Sequence, residues 1–146
     1  MSFLNPSLTP DIYYMRSPLL FWAIISISCR RHEDSPSLLS GLSSHMMGLV
    51  WKTVSAFPCS LYTVQALVLI CTWPFPTSSL WTDPSFILIS IAKSTALQLG
   101  IHRPEMVEDF SRTKGRYNTE EIQEAVKTWA ACFIAGQWFV DSKAPF

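Results

Sequence analysis

From Leu61 to Trp73 the chain offers almost no polar face, and Leu67, Val68, Leu69, Ile70 and Cys71 form one unbroken apolar run. Such a run, free of Gly and Pro, is either a buried helix or a very long buried strand. Its length and the Gln65-Ala66-Leu67 opening favour the helix. Pro74 and Pro76 stop it, because proline has no N–H and restricts the residue before it. A second helix restarts after the elbow. Thr82 or Asp83 caps its free N–H groups and Pro84 suits its first position. Leu88, Ile91, Ala92, Ala96 and Leu99 follow at helical spacing, and Gly100 fits a left-handed exit.

The flanking segments show the same grammar. Met1 to Arg16, with Pro6 and Pro10, reads as an extended lead-in. Ser17-Pro18 opens a helix through Leu19, Leu20, Trp22, Ala23, Ile24 and Ile27, closed by the cationic turn Arg30-Arg31-His32. Asp34-Ser35-Pro36 opens another, whose face is Leu38, Leu39, Leu42, Met46, Leu49, Val50 and Val54, ending at Pro58. Gly41 and Gly48 weaken it but would allow a neighbour to pack closely, and His45 among apolar residues reads as a packed histidine. After Gly100 the chain turns polar, with charges of both signs from His102 to Arg116, as on a solvated loop. Asn118 and Glu121 then form a capping box for a last helix with the face Ile122, Ala125, Val126, Trp129, Phe133 and Val140. Residues 141–146 read as a C-terminal tail. The pattern predicts an all-α fold of about five helices.

Composition sharpens this picture. Hydrophobic residues make up 49% of the 146 and charged ones 15%, so a packed core is available and disorder is not expected. Six Trp and nine Phe in so short a chain suggest more apolar surface than it can easily hide. Net charge is zero, which argues against direct DNA binding, since phosphate neutralisation supplies most of that affinity. Cys29, Cys59, Cys71 and Cys132 lie nowhere near metal-ligand or CxxC spacing and read as free, buried thiols. Leu19 to Cys29 and Ala66 to Trp73 are apolar but fall short of the roughly 20 residues a membrane span needs. There is no phosphate-cradling glycine loop, nucleophile elbow or HExxH, so no catalytic residue is assigned.

One stretch carries more as a pattern than as physics. The helix ending Cys71-Thr72-Trp73-Pro74, the elbow Pro76-Thr77-Ser78-Ser79, Trp81-Thr82-Asp83-Pro84, and Ala96-Leu97-Gln98-Leu99-Gly100-Ile101-His102-Arg103-Pro104 occur in this order. Upstream Ser17 to Trp22 and downstream Lys127-Thr128-Trp129-Ala130 fit the same pattern. Together they resemble the regulatory middle homology region of fungal zinc-cluster transcription factors, here from about residue 17 to 140. The resemblance implies a non-catalytic, all-helical regulatory domain acting in the nucleus. Its partners would be other parts of such a factor or a full-length relative, and in some members a small-molecule effector.

The family's zinc is held by a six-cysteine cluster that has no counterpart in these residues, so zinc, DNA reading and dimerisation are not implied for them. The family domain is also usually longer, which suggests an incomplete portion of it, one that leaves a large apolar face for the missing helices to cover. The signature residues Trp73, Trp81 and Trp129 are expected in the core, and His102-Arg103-Pro104 in a helix-exit turn, with Arg103 near Glu105 or a carboxylate of the last helix. Other readings stay open. One is a ligand module with its pocket between the two central helices, using Gln65, Ser90, Lys93, Thr95 and Gln98. A membrane-associated helical protein and a chain acting only through a full-length partner are the others.

Overall fold

The computed structural model describes residues 3–31, 36–103 and 118–143. Among them are six α-helices and no strand: α1 Pro10–Arg16, α2 Pro18–Cys29, α3 Pro36–Ser55, α4 Leu61–Thr72, α5 Ser85–Gln98 and α6 Thr119–Lys143. A single 3-10 turn, Leu80–Thr82, interrupts the α4–α5 connection. The fold is all-α, as the pattern predicts.

α4 is the axis of the molecule. Every residue from Thr63 to Cys71 is buried, with α2, α5 and α6 packed around it and α3 touching it more lightly. A helix without a polar stripe needs cover on all sides, and α4 obtains it. Its last carbonyls lack intrahelical partners. Arg30, just past the end of α2, supplies one at the cap residue, since its Nη2 donates to the Trp73 carbonyl at 2.8 Å and to the Pro74 carbonyl just beyond it. The cationic turn predicted to serve its own helix thus caps a neighbour's C-terminus.

The two turns around α5 follow the sequence closely. Asp83 Oδ1 accepts from the Ser85 N–H at 2.9 Å and from Ser85 Oγ at 2.6 Å. At the other end Gly100 has φ 74°, where a side chain would be strained. Its N–H donates to Leu97 O, and the Ile101 N–H to Ala96 O. These paired bonds with a left-handed residue form a Schellman exit. Ile101 and Ala96 are both buried, which adds the motif's apolar contact.

The lead-in is not extended throughout. Thr9-Pro10 opens α1 with proline in its first turn, though the Thr9 side chain makes no cap bond, and Asp11 in the first turn and Arg16 in the last are both favourable to the helix dipole. A seven-residue helix is too short for periodicity to reveal. Ser17 ends α1 and starts α2, its Oγ accepting from the Leu20 N–H at 3.2 Å. Phe3 reaches back into the core, and Tyr13 OH donates to Asn5 O at 2.9 Å.

The phase of α6 also differs from the expected one. Its capping box is present: Asn118 N–H donates to Glu121 Oε2 at 2.9 Å, and Glu121 N–H to Asn118 Oδ1 at 2.8 Å. The buried side carries Ala125, Thr128, Ala131, Cys132, Ala135 and Phe139, while Val126, Phe133, Ile134, Trp138 and Val140 face outward. Small residues shorten the distance between helix axes, so the alanines bring α6 onto α4 and α5. At Gly136 an added Cβ would lie 3.0 Å from Lys93 Cδ. Glycine there lets the Lys93 stem cross α6, with Nζ 5.7 Å from the Phe133 ring centroid. The helix continues to Lys143, through the start of the expected tail.

In α3, Met46 and Val50 are buried, whereas Leu38 and His45 are exposed, so His45 is not the packed histidine the pattern suggested. A Cβ added at Gly41 or Gly48 would meet nothing within 4 Å, so no neighbour exploits them. The Asp34-Ser35 start, His32, Pro104 and the polar stretch from Glu105 to Arg116 lie outside the described residues.

Candidate functional site

The signature residues divide by what they touch. Asp83 and Pro84 build the entry to α5, and Gly100 its exit. Buried Cys71 donates its thiol to Ser85 O at 3.4 Å, joining the end of α4 to the start of α5. His102 follows the exit turn and meets Trp129 of α6 edge-on, ring centroids 6.0 Å apart. Trp129 packs partly buried against the core, and Arg103 lies exposed, its N–H donating to Gly100 O. The other two tryptophans depart from expectation. Trp73 is 39% exposed and Trp81 99%, so neither is a core residue. Trp81 sits on the single 3-10 turn after the proline elbow, where no helix face exists to be buried.

The polar residues considered for a pocket between α4 and α5 do not converge. Those two helices pack directly on each other. Gln65 turns toward α6, its Nε2 donating to Glu124 Oε1 at 2.9 Å and to Thr128 Oγ1 at 3.1 Å. Lys93 also turns to α6. Ser90, Thr95 and Gln98 instead line a trough toward α3.

Near the Gln65 network the start of α6 faces the lead-in across a hollow of about 460 Å³. Arg16, Tyr62, Glu121, Glu124 and Lys127 line it. Arg16 Nη1 donates to Tyr62 OH at 3.1 Å, and its guanidinium lies 5.7 Å from that ring's centroid. Burial of the nearby Tyr13 phenol raises its pKa above 10.0, and Glu124 adds to the shift. Spacing gave no hint of this cluster, because it draws on the lead-in, α1, α4 and α6. Among the described residues no three His, Cys, Asp or Glu are grouped to hold a metal ion. No described helix is long and apolar enough to cross a membrane.

Polar side chains serve mainly as caps and staples, and aromatic residues such as Trp81 and Trp138 are left on outer faces of the helical domain. The comparisons make the class specific. The family model for the fungal specific transcription factor domain matches residues 1–138, beginning before the Ser17 boundary expected from motifs. The putative transcription factor SEF1 of Eremothecium gossypii is 34% identical over 125 residues, covering 85% of this chain and 12% of that protein. The transcriptional regulatory protein SEF1 of Candida albicans is 32% identical over 128 residues, with coverages of 86% and 14%. The regulatory protein LEU3 of Saccharomyces cerevisiae is 31% identical over an alignment of 147 residues, with coverages of 90% and 16%. The chain belongs to the fungal specific transcription factor domain family. It spans between 12 and 16% of the length of these relatives. No solved structure matches it.

Proposed function

We propose that this chain is a non-catalytic regulatory module of a zinc-cluster transcription factor. It works in the nucleus through other parts of such a factor, or through a full-length relative, and does not grip DNA itself. The family match over residues 1–138 carries the reading, and the zero net charge supports the last part of it. Zinc enters only through a cysteine cluster on the full-length factor, because the four cysteines here are spread over helices and loops. The test places this chain between a heterologous zinc cluster and an activation domain on a reporter gene. Reporter output should change several-fold at equal protein level and equal promoter occupancy. Unchanged output would overturn the proposal.

A second reading rests on the hollow beside Arg16. Its size suits a small metabolite, and two cations, Arg16 and Lys127, among three carboxylates, Glu120, Glu121 and Glu124, suit one that carries both charges or several polar groups. In thermal-shift titrations with amino acids and hydroxy acids, one class should raise the melting temperature saturably, and Lys127→Ala should weaken the effect tenfold or more. No shift with any of them at millimolar concentration would remove this reading.

A further inference from the structure

The hollow between the lead-in and the start of α6 is lined by the cations Arg16 and Lys127 and the carboxylates of Glu120, Glu121 and Glu124. Glu120, Glu124 and Lys127 recur at helical spacing on one face of α6. From Lys127 toward the N-terminus the charge runs positive, then negative at Glu124, then doubly negative at Glu120 and Glu121. At about 1.5 Å of rise per residue, each of these steps is roughly 5 Å long. Among the described residues no ion pair joins these cations to these carboxylates. Arg16 instead donates to Tyr62 OH at 3.1 Å and lies over that ring.

The carboxylates are only partly engaged. Glu121 Oε2 accepts from the Asn118 N–H and Glu124 Oε1 from Gln65 Nε2, which leaves the second oxygen of each and the Glu120 carboxylate for a ligand. Gln65 is fully buried, and its Oε1 has no hydrogen-bond partner. A buried acceptor left unmet is costly. Here it accompanies an Nε2 that holds both Glu124 and Thr128, and so fixes Glu124 in the wall of the hollow.

We infer that the hollow binds a basic α-amino acid such as lysine or ornithine. The ligand's carboxylate lies between Arg16 and Lys127, its α-ammonium on Glu124 and its side-chain cation at Glu120 and Glu121. The inference rests on the second reading above and names the ligand class of that site. Two features select the class. An anion, an adjacent cation and a second cation beyond a short methylene chain mirror the order of charges along α6. The lining also carries one negative charge in excess, and such a ligand carries one positive charge in excess. A hydroxy acid or dicarboxylate would satisfy Arg16 and Lys127 but bring more negative charge against three carboxylates. A diamine would bring its cations beside Arg16 and Lys127 with no anion between them. A neutral amino acid would leave Glu120 and Glu121 without a counter-charge.

Isothermal titration of the chain with L-lysine tests this, beside two analogues that each lack one group. L-norleucine has no side-chain ammonium, and cadaverine has no carboxylate. Lysine should bind saturably at millimolar concentration or below, and each analogue at least tenfold more weakly. The double variant Glu120→Gln/Glu121→Gln should weaken lysine binding tenfold or more. Its unliganded melt should match the parent's, because both positions are exposed and an amide oxygen still accepts at the cap. Asp141→Asn, exposed near the far end of α6, should bind lysine as the parent does. No binding of lysine, binding of either analogue as tightly as lysine, or full binding by the double variant would each overturn the inference. A thermal shift with hydroxy acids but none with lysine would leave the second reading standing and remove this ligand class alone. Silence from every compound would remove both.

Discussion

Replacing Leu88 with Ala is expected to destabilise the fold by about 3 kcal/mol, within the 2–5 kcal/mol range for buried leucines. Leu88 is fully buried where α5 lies on α4. Both the transfer free energy of the lost methyl groups and the cavity left behind count against the variant. Relaxation around it is limited, because α4 is enclosed by several helices and cannot move toward one without leaving another. Against a total stability of about 5–15 kcal/mol for a domain, the loss is a large fraction. Trp81→Ala removes far more atoms, yet its side chain is exposed, so a change within about 0.5 kcal/mol is expected. Urea melts of both variants test the pair. A Trp81→Ala loss equal to that of Leu88→Ala would mean that Trp81 packs against something.

That contrast marks where the sequence was legible. α4, the Asp83 entry, the Gly100 exit and the Asn118–Glu121 box follow from residues whose reasons are local. Proline lacks a donor, glycine tolerates positive φ, and a carboxylate three residues on reaches back to the cap. Features set by the third dimension were harder to see. On α6 the pattern places Ala125 and Trp129 on the inner side correctly but adds Val126, Phe133 and Val140, whereas α4 and α5 approach so closely that Ala131, Cys132 and Ala135 fit there. The same constraint turned Trp138 outward.

Hydrophobicity also failed to separate core from exposed surface. Trp51, Phe57, Phe86 and Ile87 look like core residues in any window of sequence, and all four are substantially exposed. Only the packing of α3 on α2 and of α5 on α4 and α6 shows which of their apolar side chains stay outside the core. The polar cluster of Arg16, Tyr62, Gln65 and Glu124 was invisible for a related reason. Its members are up to 108 positions apart in sequence, and the α1 turn that presents Arg16 was read as extended chain. The family pattern did identify the family, because it records local turns such as the Asp83 entry and the Gly100 exit.

Cys132 is expected to resist thiol reagents at pH 8 at least a hundredfold better than an ordinary exposed cysteine. Burial pushes its thiol up to about 11 from 9.0, and the nearby Lys93 charge offsets only part of the effect. The thiolate is the reactive species, and at pH 8 a group of pKa 11 is ionised to about one part in a thousand. An unperturbed thiol near 8.5 is about a quarter ionised at that pH. Access compounds the difference, since Cys132 lies on the inner face of α6, whereas Cys29 and Cys59 are only partly buried. The same shift gives stability a sign. The folded state holds the proton more tightly than the unfolded chain, so this contribution is complete below about pH 9 and is lost as pH rises through about 11. Urea melts between pH 8 and 11 should therefore show the parent chain losing stability relative to Cys132→Ala over that window. Mass-spectrometric labelling at pH 8 should mark Cys29 and Cys59 long before Cys132. Labelling of Cys132 at the rate of Cys29 in the folded protein would mean that α6 opens from α4 and α5 far more often than a packed helix does.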